Sequence, residues 1–333
     1  MDEVARLAGV STATVSRALR GLPNVSSATR ERVLAAAQSI GYVVSPTASR
    51  LASGRTSTIA LITPWVNHWF FSNAIEGAER ALRAEGFDAL LHIFDSSRAH
   101  PRTRLEVASL RRRVDGVIVL GLPLDEGEVA RLDDLGLPVV FVGTGAPGQV
   151  TVRLDDEHVG ALATEHLLAL GHRSIAHLTG SGDIGGPSAP GPARERGWAR
   201  AMVAAGLAAD AGLVFDGGFT TAGARDAVAT MLARRPDVTA VFSSSDEMAM
   251  GVILALRERG LRVPQDVSVI GVDGHELGEL LGLTTIVQPV VDQGATAAAL
   301  LLDMITGAPV LDDVVFPVSL LERGSTSPPR SDL

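Results

Sequence analysis

Within DEVARLAGVSTATVSRALRGLPNVSSATRERVLAAAQSIGY (residues 2–42), Thr12, Ala13, Ser16, Arg17 and Arg20 recur at spacings that share one helical face. Thr12 and Ala13 offer a hydroxyl and a methyl to base edges, and Arg17 can pair in bidentate fashion with guanine O6 and N7. Arg20 and Arg30, with hydroxyls such as those of Ser11 and Ser16, suit phosphates. A helical docking or dimerisation module is the competing reading, but this face carries little apolar area. A second set lies downstream. TPWVNHWFF (63–71) holds Trp65, Trp69, Phe70 and Phe71, in a chain with only nine Phe, three Trp and one Tyr. Aromatic faces stack on sugar rings, while amides and carboxylates bind hydroxyls. Packing of the following helix is an equally open role for each of the four. Asp95 and Asp155 end apolar runs and can accept from hydroxyls, and Asp155 can equally cap a helix. Asp246 in SSSDEM can contact a ligand or cap the helix after it.

These groups need elements to hold them. In the head, Val4, Leu7 and Ala8 share a face, and Gly9 is a natural helix stop. Ser11 can cap a second helix running to about Arg20, with Val15, Ala18 and Leu19 turned inward. Ser26 can cap a third, with Val33, Leu34, Ala37 and Ile40 as its buried stripe and Gly41 as its end. Three helices in so short a span, the first two joined by a tight turn, predict a helix-turn-helix unit whose second helix enters the major groove. Pro46 can open a further short helix over SPTASRLASG, too short to be stable alone. From residue 58 onward, apolar runs alternate with helical stretches such as AIEGAERALRAEG and EMAMGVILALRERG. The predicted strands are 58–63, 89–94, 115–121, 138–143, 150–155, 174–180, 239–245, 267–273 and 284–289. Unbroken apolar runs imply parallel strands covered on both faces, and hence doubly wound α/β sheets. Two such halves fit the length, with a ligand expected at strand carboxyl ends in the cleft between them.

Composition narrows the function. The 333-residue chain is 46% hydrophobic and 20% charged, with no cysteine and a net charge of −9. There is therefore no disulfide framework or thiolate metal site. Residues 1–60 nevertheless hold seven arginines against three carboxylates. A basic head on an acidic body implies that the head alone meets a polyanion. No apolar run is long enough to span a membrane, and Asp2, Glu3 and Arg6 interrupt any signal-peptide pattern, so a cytoplasmic protein is expected. Eight histidines are scattered without an HExxH pairing, and no GxSxG elbow occurs. The Gly- and Pro-rich loop GSGDIGGPSAPGPARERG lacks the Lys of a phosphate-binding loop. No metal, cofactor or catalytic residue is expected. A sugar-binding protein or sugar enzyme without a DNA role is the alternative, and it leaves the head unexplained.

DEVARLAGVSTATVSRALRG resembles the headpiece of the LacI/GalR family of bacterial transcription regulators. VSSATRERVLAAAQSIGYVVSPTASRLASGRT continues the likeness into the family's linker. ATEHLLALGHRSIAHLTG, RERGWARAM, SSSDEMAMGVILALRERGLRVPQDVSVIGVDG and LTTIVQP resemble its effector-binding core. The resemblance implies an all-α headpiece (1–45), a hinge helix (46–57) and a type I periplasmic-binding-protein-like core (58–333). That core has two doubly wound lobes, about 58–155 with 286–316 and 156–285 with 317–333, and chain crossings near Asp155, Thr285 and Pro317. It also implies that Thr12, Ala13 and Arg17 contact operator bases and that Leu51 enters the minor groove. Phe70 and Phe71 match cleft-facing positions, Arg194 an effector arginine, Phe219 a stacking position and Asp273 a ligand-binding aspartate. Two departures stand out. Members usually carry a few residues ahead of the motif, and the arginine often found after the alanine matching Ala48 is here Ser49, followed by Arg50. The expectation is a homodimeric repressor reading a pseudopalindromic double-stranded operator under control of a small effector, a carbohydrate by its aromatics and aspartates. STSPPRSDL has no heptad pattern, so tetramer assembly through a tail is not expected.

Overall fold

The computed structural model describes residues 1–19, 22–42, 56–94, 107–122, 124–145, 148–180 and 189–330. Arg20, Leu51 and Asp95, and most of the 46–57 hinge, lie outside these. The chain divides into two units, Met1–Ser57 and Thr58–Leu333.

The first unit is helical: α1 (Asp2–Ala8), α2 (Thr12–Leu19) and α3 (Ser27–Ser39). Gly9 closes α1 in the left-handed conformation, its N–H donating to the Ala5 carbonyl. Ser11 Oγ accepts from the Thr14 N–H at 3.2 Å, and Ser26 Oγ from that of Thr29 at 3.3 Å, so each hydroxyl satisfies a donor that a helix start leaves orphaned. The core is small: Val4, Ala5, Ala8, Val15, Ala18, Val33, Ala36 and Ala37 are buried. Three expected core residues are not in it. Leu7, Leu34 and Ile40 are exposed, and Ala5 and Ala36 take their places. The fully buried seam is made of alanines and valines alone, with Val10, Leu19, Val25 and Tyr42 packed around it.

The second unit contains two six-stranded sheets. In chain order its strands are β1 (Thr58–Thr63), β2 (Asp88–Ile93), β3 (Gly116–Leu120), β4 (Val139–Val142), β5 (Val150–Leu154), β6 (Ile175–Thr179), β7 (Val214–Asp216), β8 (Ala240–Ser243), β9 (Ser268–Asp273), β10 (Thr284–Val287), β11 (Asp313–Phe316) and β12 (Ser319–Leu321). The helices are α4 (Trp69–Ala84), α5 (Glu126–Asp133), α6 (Asp156–Ala169), α7 (Pro190–Ala204), α8 (Thr221–Arg234), α9 (Asp246–Glu258), α10 (Glu276–Leu280) and α11 (Val290–Thr306). The first sheet runs β2-β1-β3-β4-β5-β11, all parallel. The second runs β7-β6-β8-β9-β10-β12, parallel except where β12 lies antiparallel to β10.

Both faces of the first sheet are covered, which explains the unbroken apolar runs. Ile59, Leu61, Ile118, Leu120, Val140 and Val142 face α4 and α11, while Ala60, Ile62, Val117, Val119, Val139 and Phe141 pack on Leu110 and Leu132. Two helix pairs come unusually close, and glycine is the reason. A Cβ on Gly77 of α4 would lie 1.9 Å from the Val291 carbonyl oxygen of α11, and one on Gly294 would lie 2.1 Å from that of Ala74. Gly160 of α6 and Gly197 of α7 repeat the device at 2.0 Å each, against the carbonyls of Arg194 and Glu157.

The chain passes from the first sheet to the second after β5, returns after β10 and crosses again at Pro317 between β11 and β12. The middle crossing differs from its expected place near Thr285. Thr284–Val287 pair with Ile270–Asp273 of β9, which keeps residues 286 and 287 in the second sheet and moves the passage to Gln288–Pro289. No helix among the described residues is long and apolar enough to cross a membrane.

Candidate functional site

On the head, Thr12, Ala13 and Arg17 are exposed and Ser16 is half-buried, all on the side of α2 away from Val15 and Ala18. Ser11 is exposed but occupied as the cap, with Thr14 Oγ1 a further 2.9 Å neighbour. Arg30 differs from expectation. Its Nη2 donates to the Leu22 carbonyl at 2.9 Å, so it braces the turn before α3 from within and offers less to a phosphate.

In the core, carboxyl ends of strands from both sheets converge on one cavity of about 400 Å³. Phe70, Phe71, Arg194, Phe219 and Asp273 all line it. Glycines at strand ends make room for the rings: a Cβ on Gly121 after β3 would meet the Phe71 ring at 2.7 Å, and one on Gly180 after β6 would meet Phe219 at 2.1 Å. Phe219 (φ 53°) and Asp273 (φ 136°) hold backbone conformations that side-chain-bearing residues seldom adopt. Such strain persists where surrounding structure imposes it, and it gathers at binding sites.

The polar floor is tightly wired. Arg194 Nε and Nη2 each lie 2.8 Å from Asp156 Oδ1, and Nη1 donates to the Ser244 carbonyl. Beneath Ser244, the buried His177 stacks on Phe242 and Trp198, and burial pushes it down to about 3, so it is neutral. Asp273 Oδ1 accepts from Gln288 Nε2 at 2.6 Å, and Gln288 Oε1 accepts from Gln293 Nε2 at 3.1 Å. Burial, then the neighbouring Asp246 carboxylate, push Asp273 up to about 8. Burial also raises Asp156, against the pull of Arg194, and raises Asp246. Two of these buried carboxyl groups, Asp156 and Asp273, line the cavity with Arg194, whose guanidinium is already paired. Among the described lining residues such a floor leaves no unpaired guanidinium for an anion and suits neutral hydrogen-bonding groups.

Three expected ligand residues stand outside the cavity lining. Trp69, one position before Phe70, is rotated away by the helix; its Nε1 donates to Glu276 at 2.6 Å and its ring stacks on His275. Asp155 caps α6 through the His158 N–H at 2.9 Å, and the next residue, Asp156, turns into the cavity instead. Asp246 is fully buried and neither lines the cavity nor caps α9; Ser245 caps it. Asp246 spends its oxygens on the N–H groups of Gly274 (2.9 Å) and His275 (2.8 Å) and on Thr285 Oγ1 (2.7 Å). Trp65, raised with the other aromatics of its run, lines the cavity, and so do His68, Thr144, Asp156, Asp216, Glu247, Gln288 and Gln293, which were not singled out as ligand groups. His68 Nδ1 lies 3.0 Å from Glu247 Oε2, which with the Trp69–Glu276 bond ties the first lobe to the second away from the crossings. No group of three His, Asp or Glu placed to hold a metal occurs among the described residues.

The family profile described as "Bacterial regulatory proteins, lacI family" matches residues 1–45, and that of the "Periplasmic binding protein-like domain" matches 164–326. Among curated proteins, the HTH-type transcriptional regulator CelR of Thermobifida fusca is 36% identical over 92% of this chain and 92% of its own length. Among solved structures, the CelR–cellobiose complex superposes with a TM-score of 0.73 at 35% identity, covering 97% of this chain and 98% of that one. The lac repressor dimer bound to operator and the anti-inducer ONPF does so at 0.84 and 28% identity, with the same coverage. With a lacI headpiece, two parallel-rich lobes around a lined cleft and a regulator relative across nearly its whole length, this chain belongs to the LacI family of bacterial transcription regulators.

Proposed function

We propose that the protein is a cytoplasmic, homodimeric repressor whose hold on a pseudopalindromic operator is set by a neutral carbohydrate bound between the core lobes. Residues 1–45 form the reading head, 46–57 the hinge, and the lobes of 58–333 the sensor. In this reading Thr12, Ala13 and Arg17 meet base edges, Ser11, Ser16 and Arg20 lie toward phosphates, Arg30 braces the turn before α3 and adds less to them, and Leu51 wedges the minor groove. Phe70, Phe71 and Phe219 stack on the sugar, and Arg194 and Asp273 bind its hydroxyls. Asp95, two residues beyond β2 in the sequence, is kept as a further ligand candidate.

The observation that carries the reading is the floor of the cleft: aromatic rings from both lobes over two buried carboxyls, Asp156 and Asp273, and one already paired arginine. A sugar phosphate or acid would find no unpaired guanidinium among the described lining residues, whereas a neutral polyol needs none and can both donate to and accept from this floor. The relative of known complex, CelR, is bound to cellobiose, a neutral disaccharide. Exposed Leu254, Leu277 and Leu280 on α9 and α10 supply apolar surface for a second copy. Effector binding acts by favouring one arrangement of the lobes, and it shifts operator affinity only as far as it distinguishes the two.

The test is selection of bound DNA from random duplexes with the full chain, repeated with cellobiose, lactose, maltose and glucose, and with glucose 6-phosphate as the anionic contrast. The expected result is one palindromic motif whose enrichment a neutral sugar changes and the phosphate does not. Failure to enrich any motif refutes the DNA reading; a response to the phosphate alone refutes the neutral-sugar reading.

A further inference from the structure

Two buried polar atoms on the cleft wall have no partner among the described residues: Thr144 Oγ1, just past β4, and Gln293 Oε1, in the first turns of α11. Thr144 is 4% exposed and Gln293 is 0% exposed. A buried acceptor left unpaired costs about 1–3 kcal/mol, so native proteins keep few of them. Both atoms belong to the first lobe's side of the cavity, where the pairing that occupies Arg194 and Asp156 on the opposite side is missing.

The orientation of Gln293 follows from its neighbours. Gln288 Nε2 donates to Asp273 Oδ1, an acceptor whether the carboxyl is ionised or carries its proton on Oδ2, and this turns Gln288 Oε1 toward Gln293. Gln293 must then present its own N–H to Gln288, leaving Oε1 over as a bare acceptor. The relay Gln293–Gln288–Asp273 starts on α11, passes through the interlobe crossing at Gln288 and ends at the tip of β9. It joins the lobes through three side chains whose polarity runs one way.

We infer that Gln293 is a specificity-determining residue of the cleft: its Oε1 accepts a hydrogen bond from a donor hydroxyl of the effector, and Thr144 pairs with a second polar group beside it. The inference rests on the cleft being the effector site and adds which chemistry the first lobe reads. A ligand presenting an ether or carbonyl oxygen to Gln293 sets lone pair against lone pair. One lacking the hydroxyl leaves the acceptor unpaired and is rejected far more strongly than a mere change of apolar bulk would be.

Full-length wild type, Gln293→Leu and Gln293→Glu are titrated calorimetrically with cellobiose, lactose, maltose and glucose, and melted without ligand. Leucine removes the acceptor; glutamate retains an acceptor oxygen but gives up the donor to Gln288. For the sugar that wild type binds, leucine is expected to weaken binding tenfold or more, and glutamate less. Equal affinity for wild type and Gln293→Leu overturns the inference. The ligand-free melts judge it even if none of these sugars binds wild type, a result that would count against the carbohydrate reading alone. Leucine exchanges one unpaired acceptor, Gln293 Oε1, for another, Gln288 Oε1, so Tm is expected to stay within about 2 °C. A fall of about 5 °C or more would mean that Oε1 is satisfied within the protein, and would overturn the inference without any ligand.

Discussion

At the scale of single residues, the two ends of the protein make opposite demands. Arg17 is exposed, and among the described residues no protein group pairs with its guanidinium, which leaves it for a base pair. Arg17→Ala is expected to weaken operator binding by about 1–3 kcal/mol and relax preference at one base position, read by competition with single-base operator variants. Asp273 is instead buried, strained and held near about 8. An unfolded Asp releases its proton near ~3.9, so between that pH and about 8 the folded state binds more protons. Ligand-free stability therefore falls as pH rises through this window, and Asp273→Asn removes that part of the slope. The Tm difference, variant minus wild type, is expected to grow from pH 4 to pH 8; a constant difference would place the proton elsewhere. Residues of this kind are legible in a sequence when a strand end announces them, as with Asp273. Asp156 was missed by one position because a capping residue and a cleft residue sit side by side, and only the helix geometry assigns Asp155 to the cap. Trp69 failed for a similar reason, one helical step turning its ring out of the cleft. Gln288 and Gln293 carry no charge and no ring, and nothing in LTTIVQPVVDQG marks them until the fold brings them to Asp273.

At the scale of elements, the long apolar strands could be read because burial on both faces leaves no polar interruption. β7, β11 and β12 could not. Each is three or four residues long and lies at or beside a sheet edge, and DVVF and SLL have one side exposed, so neither length nor alternation separates them from loop. The glycines inside α4, α6, α7 and α11 lower helix propensity, and a reading by propensity alone counts them as a cost. Their reason is packing: Gly77 and Gly294 let α4 and α11 approach until backbone meets backbone. α4 carries Phe70 and Phe71, and α11 carries Gln293, so this contact also sets the first lobe's wall of the cleft. Gly77→Ala puts a methyl where the Val291 carbonyl stands, and helix propensity alone would favour it by up to about 1 kcal/mol. Overpacking is expected to win, with a net loss of about 1–3 kcal/mol in denaturant unfolding of the core. A stabilised variant would show that the helices can separate at no cost.

At the scale of the whole molecule, the charge asymmetry and the division at Ser57 point to two separable jobs. A chain of residues 58–333 retains both sheets and every described residue of the cleft. It is expected to bind sugar as the full protein does and to shift no operator DNA, whereas operator binding by the intact chain should fall steeply with salt as phosphates are neutralised by arginines of the head. The lobes of this core are held at the cleft mouth by the His68–Glu247 pair and by Trp69, whose N–H reaches Glu276 while its ring lies on His275. A ligand enclosed by residues of both lobes leaves only when such contacts give way, so they belong to the rate of exchange more than to the affinity. Trp69→Phe tests this in the 58–333 chain, since it removes the donor and keeps an aromatic ring over His275. One lost hydrogen bond of about 0.5–1.5 kcal/mol corresponds to roughly a two- to tenfold faster release of bound sugar, measurable by stopped-flow displacement. Because Trp69 lies outside the cavity lining, the association rate should rise with it and the dissociation constant should move little. Unchanged release would mean that the lobes part elsewhere, leaving the three crossings to govern opening alone.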